Sequence, residues 1–551
     1  MDREDRAGFE DVDRTRLSRR EFLKLTGMAG GGLLLAACAP AATTTTGVTT
    51  APTVVGTTAT TAAPATTSPP AAQAVRFLSA ESFWADWDPY QTNALSQLRL
   101  NKQIYDMLLD FPTGDFAAPS PMLATEWNQI DERTWEFTLR EGVTFHDGSP
   151  FDAQDVKASL ELASGATDVV TVHADSWVPT TVEIVDDFTV LLVTEEPFAP
   201  LFSALFNTQI VSAEDLAGDP QALKVQPNGT GPFRLVTDEP NRKVMEGNAD
   251  YWAGAPQITE LVWEFVQDPQ TRLNALLGGQ TEAIDRVPPQ HLQVIEDEEG
   301  LTLSSVTGIE NVNLWVRPGR FELWDTNRDF REAVLWSIDR RSVAENLILG
   351  ETRVATSFLP NNALFYQEQT PEYTFDPDRA AELLEQAGVP DGGPEFELWV
   401  ASGFLPRAEE AVQAIVANME QVGLHPKVIT TDISGMIDDI FSEDGTGAMY
   451  HISWASSGDP NGALAQLLGR EGVWAVEDEV VFDLIEQGAA ETDPALRQEI
   501  YSQLQEHLWT NVPHVPLYYS DFTIGHTDRL QGLRVLPNQF ETYFYPATIS
   551  E

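Results

Sequence analysis

The side chains best suited to chemistry in this sequence are tryptophans, one of them next to small polar residues. The segment Trp454-Ala455-Ser456-Ser457-Gly458-Asp459-Pro460 combines a ring, two hydroxyls and a carboxylate, and the other candidates are Trp84, Trp87 and Trp315. Aromatic rings offer flat apolar faces that stack on sugar rings or on ligand side chains without requiring one hydrogen-bond pattern. This chemistry is binding rather than bond breaking, although core packing explains each tryptophan equally well.

Motifs of the common enzyme classes are missing from the sequence. It contains no Gly-x-Ser-x-Gly, no His-Glu-x-x-His, no phosphate-binding loop and no dinucleotide-binding glycine motif. None of the 8 histidines has a second histidine four positions away, so a classical zinc site has no support. We therefore expect no enzyme activity, no metal and no other cofactor.

The sole cysteine, Cys38, ends an N-terminal segment that is typical of an export signal. Ser18–Lys24 contains a twin arginine, and the apolar stretch Leu25–Ala37 is shorter than the roughly 20 residues that a membrane span needs. The stretch runs into Leu35-Ala36-Ala37-Cys38, which resembles a lipoprotein processing box. We expect residues 1–37 to be a twin-arginine signal peptide and Cys38 to carry a lipid that anchors the protein to the outer face of the cytoplasmic membrane.

Two bulk features describe the chain after Cys38. Residues 38–74 are almost all Ala, Thr, Pro, Val and Gly without charge, which predicts a flexible tether. The whole chain carries 85 acidic and 33 basic residues, a net charge of −52. This charge disfavours nucleic acid and anionic lipid as partners. Either a solvated acidic surface, which we favour, or selection for a cationic ligand explains the excess.

Strand and helix signals alternate from residue 75 to the end, which predicts a mixed α/β body. The alternation at 134–143 predicts a strand, and Asp152, Asp376 and Asp493 are placed to cap helices. Pro377 and Pro494 then stand at the first helical position. Strand 396–400, helix 411–421 and strand 427–430 predict a βαβ unit.

Several strings resemble one known family. Residues 127–156, which include Trp-Glu-Phe-Thr-Leu-Arg-Glu-Gly-Val-Thr-Phe-His-Asp-Gly, are similar to the signature of the family 5 extracellular solute-binding proteins, the oligopeptide, dipeptide, nickel and oligosaccharide receptors of ABC importers. Further similar strings follow in the family's order at 228–233, 248–252, 272–279 and 330–340. Most of these residues, including His146, have structural roles by their types, since glycine and proline serve turns and tryptophan serves cores.

The resemblance implies a two-lobed periplasmic-binding-protein fold of type II, similar to the large cluster C proteins, with an extra subdomain in the first lobe. The first lobe would comprise 75–304 and 520–551, with the inserted subdomain at about 116–228, and the second lobe 305–519. A small molecule or peptide would be enclosed between the lobes and delivered to the permease subunits of an ABC importer. We expect a monomer. The alternative function is a solute sensor for a signalling partner.

The resemblance also places the tryptophans named above at or near the cleft. In peptide-binding relatives an Asp three positions past the tryptophan of the 454 loop holds the α-ammonium group of the peptide. Ser457 stands there in this chain, so either Asp459 takes over the role or the ligand is not a peptide. Ser456 and Ser457 beside a stacking ring would suit a polyhydroxylated ligand such as an oligosaccharide. Peptide and sugar remain nearly equal alternatives, with a slight preference for a neutral or non-peptide solute.

Overall fold

The computed structural model describes most of the chain after residue 72. The described residues are 73–80, 86–91, 95–115, 118–167, 169, 171, 177–218, 220–348, 353–389, 393–455, 458–470, 472–536 and 541–550. The export signal, Cys38, the tether up to residue 72, Trp84, Ser456 and Ser457 therefore lie outside the described residues, while Ala74, the last residue of the predicted tether, already belongs to a strand.

The strands are β1 (Ala74–Ser79), β2 (Leu109–Asp110), β3 (Ser120–Pro121), β4 (Ala124–Asp131), β5 (Thr134–Leu139), β6 (Thr180–Asp186), β7 (Thr189–Thr194), β8 (Phe233–Glu239), β9 (Arg242–Gly247), β10 (Glu260–Phe265), β11 (Ala283–Asp285), β12 (Leu301–Val316), β13 (Arg353–Val354), β14 (Glu395–Ala401), β15 (His425–Thr431), β16 (Met449–Ala455), β17 (Val515–Thr527), β18 (Leu530–Gln531), β19 (Arg534–Leu536), β20 (Glu541–Tyr543) and β21 (Thr548–Ile549).

The α-helices are α1 (Leu95–Ile104), α2 (Ala153–Ala163), α3 (Leu201–Phe206), α4 (Ala213–Ala217), α5 (Pro220–Val225), α6 (Pro269–Leu277), α7 (Pro289–Glu296), α8 (Glu322–Thr326), α9 (Arg328–Trp336), α10 (Pro377–Gln386), α11 (Ala408–Glu420), α12 (Ile433–Phe441), α13 (Pro460–Leu468), α14 (Glu479–Ala490) and α15 (Pro494–Asn511). A π-helix spans Ser342–Ile348.

The predicted caps are confirmed. The side chain of Asp376 accepts a hydrogen bond from the amide of Arg379 at the start of α10, and that of Asp493 accepts from two amides at the start of α15. Each proline follows its cap at the first helical position, where its missing amide hydrogen costs nothing. Asp152 and Asp155 form a reciprocal capping box at the start of α2.

The predicted βαβ unit is also confirmed, whereas one strand is shorter than expected. Strands β14 and β15 run parallel with Phe396 opposite Pro426, and α11 connects them. Strand β5 stops at Leu139 instead of continuing to 143. The chain turns there because Gly142 adopts a positive φ of 76°, which is incompatible with an extended strand.

An eleven-stranded sheet runs through the whole body in the order β15-β14-β16-β12-β17-β11-β1-β10-β9-β8, with β13 on β17. Strands β12 and β17 are its centre. Leu301–Val306 pairs with 522–527 beside β11, and Glu310–Leu314 pairs with 515–520 beside β16. Each long strand therefore belongs to two halves of the sheet, one on the β1 side and one on the β16 side. We call these halves the first and second lobe.

The pairing of β12 with β17 is interrupted where the strands pass from one lobe to the other. The register shifts between Val306 and Glu310, because four positions on β12 correspond to two on β17. Such an irregularity breaks the ladder of hydrogen bonds and lets the strands bend. This crossing, between positions 306 and 310 of β12, is the point about which the two lobes can turn.

A separate four-stranded sheet, in the order β4-β5-β7-β6, lies within the first lobe's sequence. Its core contains Phe137, Val182, Val190 and Leu192, all fully buried, and helix α2 contributes Val156 and Leu160. The core of the first lobe proper is a second cluster, which includes Phe77, Trp87, Trp263 and Phe544.

Candidate functional site

The junction of the lobes is surrounded by strand ends. Strand β16 ends at Ala455, opposite Glu310 of β12, and β11 ends at Asp285 on the first-lobe side. In a sheet protein, loops that follow strand ends at a junction are the usual place for binding residues. The segment that the sequence singled out, 454–460, begins at this junction.

Trp454 is the candidate whose position fits ligand contact best. It is half-buried, is the last residue but one of β16, and pairs with Asn311 of β12. One side of this region closes a small cavity in the second lobe, lined by Asn311, Trp315, Phe358, Leu359, Pro360, Trp454, Ala463, Leu464, Leu467 and Leu468. The structure thus brings Trp454 and Trp315 together in the lining of one cavity.

Trp315 itself belongs to the interior of the second lobe. It is 4% exposed, and its ring lies 5.6 Å from that of Trp474 and 4.7 Å from that of His514. Its indole Nε1 is buried, and none of the residues that the structure describes forms a hydrogen bond with it. Trp315 therefore packs next to Trp454 in the lining of this cavity. Within the described residues its Nε1 lacks the hydrogen bond that a buried polar group usually makes.

Trp87 lies in the core of the first lobe. It is completely buried, and its indole Nε1 donates to Asp238 over 2.9 Å. The amide of Trp87 also donates to the carbonyl of Lys224. A side chain held in this way contributes burial of apolar area rather than a free face for a ligand.

Asp459 is already paired within the second lobe. Its two oxygens accept from the guanidinium of Arg497 at 2.6 and 2.9 Å, and both side chains are 6% exposed. Oδ1 also caps helix α13 by accepting from the amide of Asn461. Asp459 stabilises the start of helix α13, and Arg497 balances its charge. In this arrangement it is not available to neutralise a ligand.

Two charged residues at the junction were missed by the sequence reasoning. Glu310 is 3% exposed and its Oε2 lies 3.8 Å from Nη1 of Arg286, while its Oε1 accepts from the hydroxyl of Ser453 at 2.6 Å. Arg286 follows β11 with a positive φ of 44°, a backbone conformation that is rare for a residue other than glycine. The sequence signal that could have identified Glu310 and Arg286 is a charged residue within, or directly after, a predicted strand of mostly apolar residues.

A buried ion pair fixes the first-lobe side of the junction. Asp285 accepts from Arg99 at 2.7 Å, from Ser79 and from the amide of Ala80. Burial alone would raise the pKa of Asp285, but the charges of Arg99 and Arg272 hold it below its usual value. The ends of β1 and β11 are thereby held together, directly before Arg286.

The two lobes touch on both sides of the junction. The amide of Ala199, after β7, donates to the carbonyl of Ala489 in α14 over 2.9 Å. A Cβ added to Gly403, after β14, would lie 3.8 Å from Nε2 of Gln267, after β10. Residues of the first and second lobe therefore lie close together at these two places.

The family-like strings meet at the end of helix α1. The amide of His146 donates to the carbonyl of Gly229, and its Nε2 lies 2.9 Å from the carbonyl of Gly231. Burial lowers the pKa of His146 to about 4, so the ring is neutral and Nε2 donates. This confirms the structural role expected of His146.

Neither a metal site nor a membrane span is found in the described part of the chain. No group of three or more His, Cys, Asp or Glu side chains among residues 73–550 that are described is placed to hold a metal ion. No helix in the same residues is long and apolar enough to cross a bilayer.

The body is a two-lobed α/β structure in which two long strands pass between the lobes, and a half-buried tryptophan lies near their junction. This architecture is that of the extracellular solute-binding proteins. The family model of the bacterial extracellular solute-binding proteins, family 5 (middle region), matches residues 118–474. The chain belongs to this family. The resemblance seen in the sequence is therefore confirmed, together with the fold class and the absence of enzyme activity.

Relatives extend over nearly all of the body. The glutathione-binding protein GsiB of Salmonella paratyphi A is 25% identical over 472 residues, which cover 82% of this chain and 90% of that protein. The structure of HbpA2 from Haemophilus parasuis is 26% identical with a TM-score of 0.71, covering 87% of this chain and all of the other. The periplasmic protein DppA from Helicobacter pylori, solved with the peptide STSA, has a TM-score of 0.76 at 20% identity, covering 87% and 98%.

Membership of the family settles the general function. The protein is the solute-capturing component of an ABC importer and acts outside the cytoplasm, where it hands its solute to the permease. Both were expected from the sequence.

Proposed function

We propose that the solute is bound at the junction of the two lobes and that the ring of Trp454 is its main apolar contact. The observation that carries the proposal is the position of Trp454, half-buried at the end of β16 and adjacent to the crossing of β12 and β17. Ser456 and Ser457 stand two and three positions after it in the chain and would offer hydroxyls to the same solute. Closure of the lobes would then enclose the solute and present one shape to the permease.

The solute class that we propose is a peptide or another small organic molecule of similar size. The relatives that support it are named for glutathione and for a bound peptide. An oligosaccharide remains the alternative for a loop that carries two serines beside a tryptophan. Trp84, which lies outside the described residues, keeps its predicted role as a ligand contact in this proposal.

A solute panel with one variant tests the site. Peptides, oligosaccharides and metal chelates are added to the protein, and the melting temperature is recorded, since only a solute that prefers the folded state raises it. For every solute that does so, Trp454→Ala should weaken binding about 10- to 100-fold, the usual loss for a large aromatic contact, with little change in the melting temperature of the solute-free protein.

The matched control is Trp399→Ala, because Trp399 is also half-buried, on the neighbouring strand β14. It should leave affinity unchanged. Equal loss of affinity in both variants, or a loss of solute-free stability in Trp454→Ala alone, would place Trp454 in the core instead.

We propose further that the protein is a monomer anchored by a lipid on Cys38, with residues 39–72 as the tether. A tether of this composition would let the body reach the mouth of the permease. Cys38→Ser should release the protein from the membrane fraction into the soluble fraction. Membrane retention equal to that of the unmodified protein would reject the anchor.

A further inference from the structure

The insertion in the first lobe makes a direct hydrogen bond to the second lobe. The amide of Ala199, in the loop 195–200 between β7 and α3, donates to the carbonyl of Ala489 over 2.9 Å. A hydrogen bond of this length is lost when its two atoms move apart by more than a few tenths of an ångström. Because the lobes are joined at the crossing of β12 and β17, turning about that crossing separates Ala199 from Ala489.

The carbonyl of Ala489 lies at the end of a helix, where the last backbone acceptors have no partner within the helix itself. One residue before the last of α14, it follows two carbonyls that have partners from the second lobe. That of Gln487 accepts from the amide of Glu491, and that of Gly488 accepts from Nε of Arg497 at 2.7 Å. The carbonyl of Ala489 is the one in this series that accepts from the first lobe. The partial negative charge of a helix C-terminus favours a donor at this place.

Both partners of the hydrogen bond are held by their own lobe. Phe198 is buried in the core of the insertion, and Pro197 and Pro200 restrict the backbone φ on either side of the donor. In the second lobe Gly488 packs against Tyr501, since a Cβ there would lie 2.7 Å from the ring. Groups that are already ordered lose little conformational entropy when they form a bond. This bond therefore stabilises the arrangement in which the lobes touch.

We propose that the loop 195–200 is a latch that holds the two lobes together through the amide of Ala199, so that a bound solute leaves only after this bond breaks. The inference rests on closure of the lobes over the solute, as proposed above, and adds a contact that keeps them closed. The net contribution of one backbone hydrogen bond corresponds to about 2- to 10-fold in an equilibrium constant. Because the latch acts on the lobes and not on the solute, this factor is the same for every solute.

Removal of a single hydrogen atom tests the latch. In Ala199→Pro the nitrogen carries no hydrogen. Replacement of Ala199 by lactic acid exchanges the same N–H for an ester oxygen and keeps the methyl group, so it serves where the proline variant does not fold. Ala199→Ser keeps the amide and is the matched control. The melting temperature of each solute-free variant confirms its folding, and stopped-flow dilution followed by tryptophan fluorescence measures the release of trialanine, glutathione and maltotriose.

Each of these solutes that binds should leave the variants without the amide about 2- to 10-fold faster than it leaves the unmodified protein, by one common factor. Release from Ala199→Ser should have the unmodified rate. Unchanged release in the absence of the amide would overturn the latch, as would equally fast release from Ala199→Ser. A factor that differs between solutes would also overturn it, because it would make the loop a solute contact.

The latch and the proposed solute site can fail separately. Faster release without the amide, together with unchanged affinity in Trp454→Ala, would support the latch and remove Trp454 from the site. If none of the three solutes binds, spin labels at two exposed positions decide, with Val185→Cys in the insertion and Leu496→Cys in the second lobe of a Cys38→Ser protein. Loss of the amide should shift the distances between the labels to larger values, and an unchanged distribution would overturn the latch.

Discussion

Asp459 and Glu310 show that two buried acidic residues can be bonded to different extents. Asp459 makes two short bonds to Arg497, whereas Glu310 makes one to Ser453. A buried charge is stable only when it is paired, so the pairing with Arg497 makes Asp459 a structural residue. The sequence offered Asp459 as a ligand residue because it stands two positions after Ser457, and its pairing with Arg497 could not be seen because the two residues are 38 positions apart.

This difference predicts the outcome of Asp459→Asn. Because the change leaves the buried Arg497 without a carboxylate, it should lower the free energy of unfolding by about 3–5 kcal/mol. Solute affinity should change less than about twofold. Urea unfolding and calorimetry measure the two quantities.

The control is Glu486→Gln, which breaks an exposed ion pair with Arg470 and should cost less than about 1 kcal/mol. Lost affinity with unchanged stability in Asp459→Asn would restore the ligand role that the sequence predicted for this residue.

At the scale of elements, the end of α1 holds three family-like turns in place. Cβ atoms on Gly229 and Gly231 would lie 2.1 and 2.6 Å from backbone atoms of Ile104, so only glycine fits at either position. Just beyond, the buried Asp106 accepts from Thr230, Tyr251 and Trp252 at 2.8–3.1 Å. The strings that identify the family are thus contacts of the scaffold rather than of the solute.

Asp106 should make this contact sensitive to pH. Burial raises its pKa to about 6, although its three hydrogen bonds oppose the rise. The folded state therefore keeps a proton that the unfolded state loses near pH 4. The resulting stability is complete below about pH 4 and is lost as the pH rises through 6, by at most about 3 kcal/mol.

The check is the free energy of unfolding of the unmodified protein minus that of Asp106→Asn, measured from pH 4 to 7. Since the other acids cancel in this difference, it should fall as the pH rises. A difference independent of pH would show that Asp106 has an ordinary pKa.

Elements whose signals are local could be predicted from the sequence. The caps at Asp376 and Asp493 and the parallel pair β14 and β15 depend on residues a few positions apart, and all are confirmed. The role of a tryptophan depends on tertiary packing. Trp87 and Trp454 have similar sequence surroundings of small and acidic residues, yet one is completely buried and the other half-buried.

At the scale of the whole molecule, two long strands carry both lobes. Strands β12 and β17 are paired on each side of the crossing and lose register at it, so bending there changes the angle between the lobes with little loss of pairing. The hydrogen bond from Ala199 to Ala489 joins the lobes in this arrangement. Capture of a solute requires that this contact open and form again.

The most direct test of solute capture between the lobes is the radius of gyration, measured by small-angle X-ray scattering before and after addition of a solute that raises the melting temperature. Lobes that close on the solute predict a smaller radius in its presence, and Trp454→Ala should need more solute to reach it. A radius that stays the same while the solute is bound would contradict closure about the crossing of β12 and β17.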